Sequence, residues 1–179
     1  QMCIRDRLKM VIVHQDPYYL FQGKINFMKK KFLFFVLSIL IGEEFALKKI
    51  FKLKIGENCR LKNNNYGSEP FLITIGNHVS AINVDFITHD GAVWLWREEI
   101  PNIDFFKPIT IESNIFIGHK AIVLPGTHIE SNVIIGAGSV VKGRILSNNV
   151  YAGVPAKSIC SIEEYFDKNK KYFTQTKLM

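Results

Sequence analysis

The sequence predicts an all-β domain, a parallel β-helix, and three observations predict it. First, Ile111, Ile117, Val123, Ile129, Ile135 and Val141 place a branched aliphatic residue at an unbroken interval of six. That period fits neither the 3.6 residues of an α-helical turn nor the alternation of a half-buried strand, and a fixed repeat decides the fold before other signals are weighed. Second, four residues after each aliphatic come Ile115, Ala121, Thr127, Val133, Ser139 and Ile145, all small or β-branched. Third, Gly118 and Gly136 follow Ile117 and Ile135 at equivalent places. One aliphatic per short strand, then a turn, describes a coil whose strands stack on the coils above and below. Three such hexads span eighteen residues, one turn of a triangular prism.

Residues 1–27 show no steady periodicity, and Met28-Lys29-Lys30-Lys31 reads as a start. Residues 1–27 are therefore expected to be a non-native or disordered extension outside the fold. The apolar run over 32–41 follows three lysines and is shorter than the roughly 20 residues of a spanning helix. Phe45, Leu47, Ile50 and Phe51, interleaved with Lys48, Lys49, Lys52 and Lys54, extend it as an amphipathic helical segment over 28–54. Two readings stand: a helix covering the open end of the coils, or a basic element touching an anionic membrane surface.

The repeat domain is expected over 55–160, beginning at Ile55-Gly56-Glu57-Asn58-Cys59-Arg60. Residues 62–70 break the register as a polar loop with turn chemistry. Ile75, Ala81 and Ile87 resume the interval, and 88–108 interrupt it again as a protruding loop. Two regular coils follow, 111–128 and 129–146. Val150 to Lys157 closes the stack, with Pro155 expected to end strand pairing. In 161–179, Ser161 and Glu164 form an S-x-x-E capping box. Ile162, Tyr165, Phe166 and Tyr172 give the apolar face of a C-terminal helix, expected to lie against the prism.

The net charge of +7 invites a nucleic-acid reading until it is mapped. Residues 1–60 hold 12 Lys/Arg against 5 Asp/Glu, whereas 61–179 hold 11 against 11. No basic stripe with interleaved aromatics runs along the coils, so no nucleic-acid partner is expected. Cys3, Cys59 and Cys160 are too scattered for a disulfide framework or a thiolate zinc site, which fits a reducing cytoplasm.

Four stretches carry more than the repeat. Ile135-Gly136-Ala137-Gly138-Ser139-Val140-Val141 is followed by Val150-Tyr151-Ala152-Gly153-Val154-Pro155-Ala156-Lys157. Gly67-Ser68-Glu69-Pro70 and Ile87-Thr88-His89-Asp90-Gly91 are more specific still. Over about residues 50–160 the chain resembles the hexapeptide-repeat acyltransferases, and in particular bacterial sugar O-acetyltransferases of capsule, O-antigen and exopolysaccharide assembly. The resemblance implies a left-handed coil, against the usual right-handed crossover. It also implies a homotrimer with active sites between adjacent subunits, and acetyl-CoA as donor.

Moving an acetyl group from a thioester to a hydroxyl needs a base, oxyanion donors and a groove for the pantetheine. Histidine suits the base role because its unperturbed pKa of about 6.5 leaves it mostly neutral at cellular pH. His14 falls in the extension, and His78, His119 and His128 occupy turn or outward positions where a polar surface residue is the default. His89 sits where the register fails, and it matches the family's catalytic histidine. Asp85, Asp90 and Glu69 are candidates to orient its ring or bind sugar hydroxyls. Trp94, with Trp96, Arg97, Phe105 and Phe106 on the same loop, is a candidate wall of the acceptor or pantetheine path; trimer packing is the alternative.

Ala137, Gly138 and Ser139 are small enough to let a pantetheine arm approach backbone N–H groups. Lys142 and Lys157 are placed by the resemblance near the CoA phosphates, where charge-assisted contacts are needed, and Arg144 has only its charge to recommend it. The expected function is acetyl-CoA-dependent O-acetylation of a sugar or polysaccharide-precursor hydroxyl, by direct transfer in the cytoplasm or at the inner face of the membrane. An amino-sugar N-acetyltransferase and a serine acetyltransferase-like enzyme remain open, as does a non-catalytic trimeric scaffold. The zinc anhydrases of the same fold need an H-x4-H pair; His119 and His128 lie nine apart, so no metal is expected.

Overall fold

Each hexad folds as a strand of two or three residues and a tight corner. The computed structural model describes residues 43–174 and, ahead of them, Lys29, Phe32, Leu33, Phe35 and Val36. The expectation for 1–27 lies outside the described residues, and that for 28–54 falls on them only in part. Helix α1 (Glu43–Ile50) is followed by fourteen strands: β1 (Lys54–Ile55), β2 (Arg60–Lys62), β3 (Ile73–Ile75), β4 (Val79–Ile82), β5 (Asp85–Phe86), β6 (Ile109–Ile111), β7 (Ile115–Ile117), β8 (Ile122–Val123), β9 (His128–Ile129), β10 (Val133–Ile135), β11 (Val140–Val141), β12 (Arg144–Ile145), β13 (Asn149–Gly153) and β14 (Ala156–Ser161). Helix α2 (Ile162–Asn169) and a 3-10 turn, Lys170–Tyr172, close the order.

The strands form three sheets, β1-β3-β6-β9-β12, β14-β13-β10-β7-β4-β2 and β11-β8-β5. Every pairing is parallel except β13 with β14. This is a left-handed parallel β-helix. Ile111 pairs with Ile129, Ile117 with Ile135 and Val123 with Val141, so the six-residue ladder is the inside of three stacked walls. None of the six is more than 1% exposed, and the small or β-branched set beginning at Ile115 is buried with them. Ala46 and Leu47 of α1 are buried too, and Leu47 joins the core with Leu53 beside the first coil.

Corners supply the left-handed backbone that strands cannot. At one edge Asn58, His78, Asn114, Asn132 and Asn148 all have positive φ, a conformation asparagine tolerates better than most residues. Their side chains stack as well: His78 Nδ1 meets Asn114 Oδ1 at 2.8 Å, Asn114 Nδ2 donates to Asn132 Oδ1 at 2.7 Å, and Asn132 Nδ2 to Asn148 Oδ1 at 3.2 Å. On the adjacent wall Glu112 accepts from Ser131 Oγ and meets His128 Nε2, each at 2.8 Å. The Ser131 hydroxyl, then His128, hold the Glu112 carboxyl below its ordinary value. Glu130 is lowered likewise, first by the Ser147 N–H and then by Arg144.

Four expectations need correction. The coil that starts at Ile129 returns at Ile145, its pairing partner, after 16 residues rather than 18. Phe86 pairs with Val123 and is buried where the interval had placed Ile87, because the corner at Asn83 is a residue shorter than its neighbour at Gly118 to Lys120. Pro155 does not end pairing. It sits in a turn where its missing N–H costs no ladder bond, and β14 returns antiparallel along β13. The apolar face of α2 is covered only at its first turn, where Ile162 is half-buried beside Ile134, whereas Tyr165 and Phe166 remain exposed and Tyr172 beyond it is 72% exposed. Its capping box is present, with Ser161 Oγ accepting from the Glu164 N–H and Glu164 Oε2 from the Ser161 N–H. Among the described residues, no helix is long and apolar enough to cross a membrane.

Candidate active site

The two breaks in the repeat are neighbours in space. Asn65 bridges Asp85 in parallel, and its backbone exchanges hydrogen bonds with Val84 and Phe86 at 2.9 and 2.8 Å. The chain then turns at Gly67, whose φ is +64 and whose N–H donates to Asn65 Oδ1 at 3.1 Å. A Cβ at Gly67 would lie 3.4 Å from the Phe86 carbonyl oxygen, so the turn hugs the end of β5. Tyr66 stacks flat on Phe86, with ring centroids 5.4 Å apart. The turn delivers Glu69 at the head of a short 3-10 turn, Pro70–Leu72, which its side chain does not cap.

The larger excursion leaves and returns as a short antiparallel pair. The Lys107 N–H donates to the Thr88 carbonyl at 2.9 Å, the Asp90 N–H to the Phe105 carbonyl at 3.0 Å, and His89 bridges Phe106 between them. His89 is thus fixed at the base of the loop, its ring edge-on to Phe106 at 6.4 Å. His89 Nδ1 lies 3.2 Å from Glu69 Oε2. An ionised carboxylate can only accept, so against ionised Glu69 it is Nδ1 that donates, and in a neutral ring Nε2 then keeps its lone pair. The same Oε2 accepts from Thr88 Oγ1 at 2.8 Å.

His89 and Glu69 share a pocket of about 400 Å³ whose walls also include Asp90, Trp94, Arg97 and Phe106. Arg97 Nη2 donates to Asp104 Oδ1 at 2.8 Å, and its guanidinium lies 5.8 Å from the Trp94 ring centroid. Trp94 itself is 71% exposed. Of the three candidate carboxylates, the structure brings only Glu69 to His89. Asp85 bonds Asn65 Nδ2 at 3.1 Å, away from the ring. Asp90 lines the pocket, but its side chain accepts from the Ala92 N–H at 2.9 Å as the N-cap of the Gly91–Trp96 3-10 helix. Thr88, not singled out in the sequence, belongs beside Glu69. The six-residue count gave no signal for it: Leu61 pairs with Ala81, so coils here are 20 residues long and Glu69 stands one coil from His89.

The candidate cofactor residues lie elsewhere. Ser139 is fully buried, its Oγ donating to the Gly136 carbonyl at 2.7 Å and accepting from the Gly153 N–H at 3.2 Å. The Gly138 N–H is committed to the His119 carbonyl at 2.9 Å. What this corner offers a ligand is open surface, since a Cβ on Gly138 would meet no atom within 4 Å. The β13–β14 hairpin brings Lys157, paired with Ala152, to the same edge of the prism. Lys142 is exposed at the far end of β11. No residue from 137 to 157 lines the His89 pocket. Of the remaining histidines, His119 meets Asn83 at 3.2 Å and His128 meets Glu112, both within the stack.

The profile of the bacterial transferase hexapeptide family (six repeats) matches residues 108–143. The chain is 46% identical over 147 residues to Protein CapG of Staphylococcus aureus, spanning 79% of this chain and 83% of that one. It is 32% identical over 141 residues to the galactoside O-acetyltransferase of Escherichia coli, spanning 74% of this chain and 67% of the relative. Among solved structures, a galactoside acetyltransferase in complex with coenzyme A superposes with a TM-score of 0.60 at 24% identity, covering both chains in full.

Proposed function

Because this chain belongs to the hexapeptide-repeat acetyltransferases, we propose that it transfers an acetyl group from acetyl-CoA to a hydroxyl of a sugar or polysaccharide precursor, with His89 as general base. The observation that carries this reading is the Glu69–His89 pair in the aromatic-walled pocket. Glu69 holds the ring through Nδ1 and leaves Nε2 to accept a proton. Trp94 and Phe106 offer flat apolar faces of the kind on which a sugar ring can lie, and Asp90 offers acceptor oxygens for neighbouring hydroxyls.

Acetyl-CoA supplies the acyl group as a thioester. Nε2 takes the acceptor hydroxyl proton as that oxygen bonds to the acyl carbon. The carbon–sulfur bond breaks, and His89 returns the proton to the departing sulfur, so no covalent enzyme intermediate is needed. Room for the CoA arm is present at the Gly138 corner, with Lys157 at the same edge and Lys142 along the wall for its phosphates. Because these residues and His89 do not share a cavity within one chain, the reading includes a homotrimer in which a neighbour completes each site. A CoA donor fits a cytoplasmic enzyme, with the basic segment 28–54 available to touch the inner face of a membrane.

Thiol release from acetyl-CoA over a panel of sugars, amino sugars and serine tests the reading. The expected product is an O-acetyl sugar; an N-acetyl product moves the assignment to an amine acceptor, and neither CoA binding nor turnover would leave a scaffold. His89→Ala should keep assembly and CoA binding but lose turnover by ~10²–10⁴-fold. Unchanged turnover removes His89 from the mechanism.

A further inference from the structure

We propose that Thr88 is a positioning residue of this enzyme, whose buried hydroxyl fixes the Glu69 carboxylate and, through it, the protonation and aim of the His89 ring. The inference rests on the reading of His89 as the base and goes one residue further back from the pocket. Thr88 is fully buried, and its Oγ1 lies 2.8 Å from Glu69 Oε2, the oxygen that also receives His89 Nδ1 at 3.2 Å. Among the described residues the Glu69 side chain bonds these two groups and no other.

The geometry explains why a third group is needed. The Glu69 backbone is held, since its carbonyl accepts from the Leu72 N–H at 3.0 Å, but its side chain makes no cap bond to that turn. Left to itself, the carboxylate would be free to rotate toward solvent, as the side chains of glutamate do at a cost repaid by rotamer entropy. His89 cannot do the anchoring, because its own side chain is 47% exposed. Thr88 can. Its backbone is locked by the Lys107 N–H on its carbonyl, its β-branched side chain has restricted χ1, and a hydroxyl beside an anion donates a charge-assisted bond. Thr88 therefore transmits the rigidity of the coil end to the carboxylate, and the carboxylate selects the Nδ1–H tautomer that leaves Nε2 basic.

Thr88→Val, which replaces the hydroxyl by a methyl of similar size, should lower kcat by about tenfold to a hundredfold. The KM values for acetyl-CoA and acceptor should stay within about twofold, and Thr88→Ser should restore most of kcat by returning the donor. Ring-nitrogen NMR should show His89 mainly as the Nδ1–H tautomer in the native enzyme and as a mixture in Thr88→Val. Thr88→Ala removes the same hydroxyl without adding a methyl against the carboxylate, and serves the same comparison should the valine variant fold poorly. Native kcat in both variants, or a loss of kcat with the tautomer unchanged, overturns the role of Thr88. If His89→Ala is inactive while Thr88→Val is native, only the positioning inference fails; if His89→Ala is fully active, the base assignment fails with it.

Discussion

Gly118→Ala should be among the most disruptive single-methyl additions in this chain, and the reason is spacing between coils. A Cβ on Gly118 would press on the Ala137 nitrogen and lie 2.7 Å from both Ala137 Cα and the Gly136 carbonyl carbon. Ordinary contact begins at 3.4 Å, so the coils must part by at least 0.7 Å. They resist parting because the Gly118 N–H donates to the Ile135 carbonyl at 2.8 Å and the Gly138 N–H to the His119 carbonyl at 2.9 Å, on either side of the clash. The obstructing atoms are backbone and cannot swing aside. Overpacking of this kind costs about 3 kcal/mol, which at a urea slope of about 2 kcal/mol per molar lowers the unfolding midpoint by about 1.5 M. Gly138→Ala is the control. Its φ of +68 imposes backbone strain of about 1 kcal/mol, but its Cβ meets nothing. Its midpoint should fall by only about 0.5 M under the same slope. Equal shifts in the two variants, measured at one protein concentration, would refute the claim that coil spacing is rigid at this corner.

Acid should loosen the stack through Glu112 and Glu130. Both carboxyls lie below their ordinary value of 4.5 in the folded chain, so the stability they lend is present above that pH and is lost as pH falls through the lower folded values. The melting temperature of the native chain should therefore drop more between about pH 5 and about pH 3 than that of Glu112→Gln, and parallel curves would dismiss the linkage. Trp94→Ala should raise the acceptor KM roughly tenfold while leaving the acetyl-CoA KM nearly unchanged; the reverse pattern in steady-state kinetics would move Trp94 to the donor side. Co-expression of His89→Ala with Gly138→Trp, each inactive alone, should recover about a quarter of native sites if neighbouring subunits share them. Activity no higher than either parent would place the whole site within one chain.

The core ladder was legible because each aliphatic from Ile111 to Val141 answers directly to one wall of the prism. The corners were less so. Asn114, Asn132 and Asn148 recur at intervals of 18 and then 16 residues, since the turn at Lys142-Gly143 is shorter than that at Leu124 to Thr127. A column defined by backbone strain does not keep a strict count. Glu69 and His89 were each marked by the sequence, yet their pairing was hidden by the hexad arithmetic. An eighteen-residue coil sets His89 opposite Phe71, whereas the real coil of 20 sets it opposite Glu69. For α2 the amphipathic pattern fixed which residues form one face, but nothing in a single chain fixes what covers it. Phe166 is exposed and meets Phe173, with ring centroids 5.4 Å apart.

If His89 is the base and the Gly138 corner holds the donor, as proposed above, distances along the third sheet favour a site shared between copies. The loop bearing His89 leaves that sheet just beyond Phe86, at one edge, whereas Gly138 occupies the opposite edge before β11. Phe86 pairs with Val123 and Val123 with Val141, which sets two coil spacings, roughly 10 Å, between them. From Gly138 across β11 to Lys142 the extended chain spans roughly 13 Å more. A base acts only within hydrogen-bond reach, about 3 Å, of the proton it removes. A donor lying in the Gly138 corner would have to cross the outer face of the sheet, past Asp85, Ile122 and Val140, to meet the His89 of its own chain. An adjacent prism that presents its loop toward that corner removes the crossing. In the homotrimer proposed above, the hexad repeat would act as a ruler: identical coil spacing in every copy would let a His89 fixed to one prism be aimed, by symmetry alone, at the small-residue corner of the next.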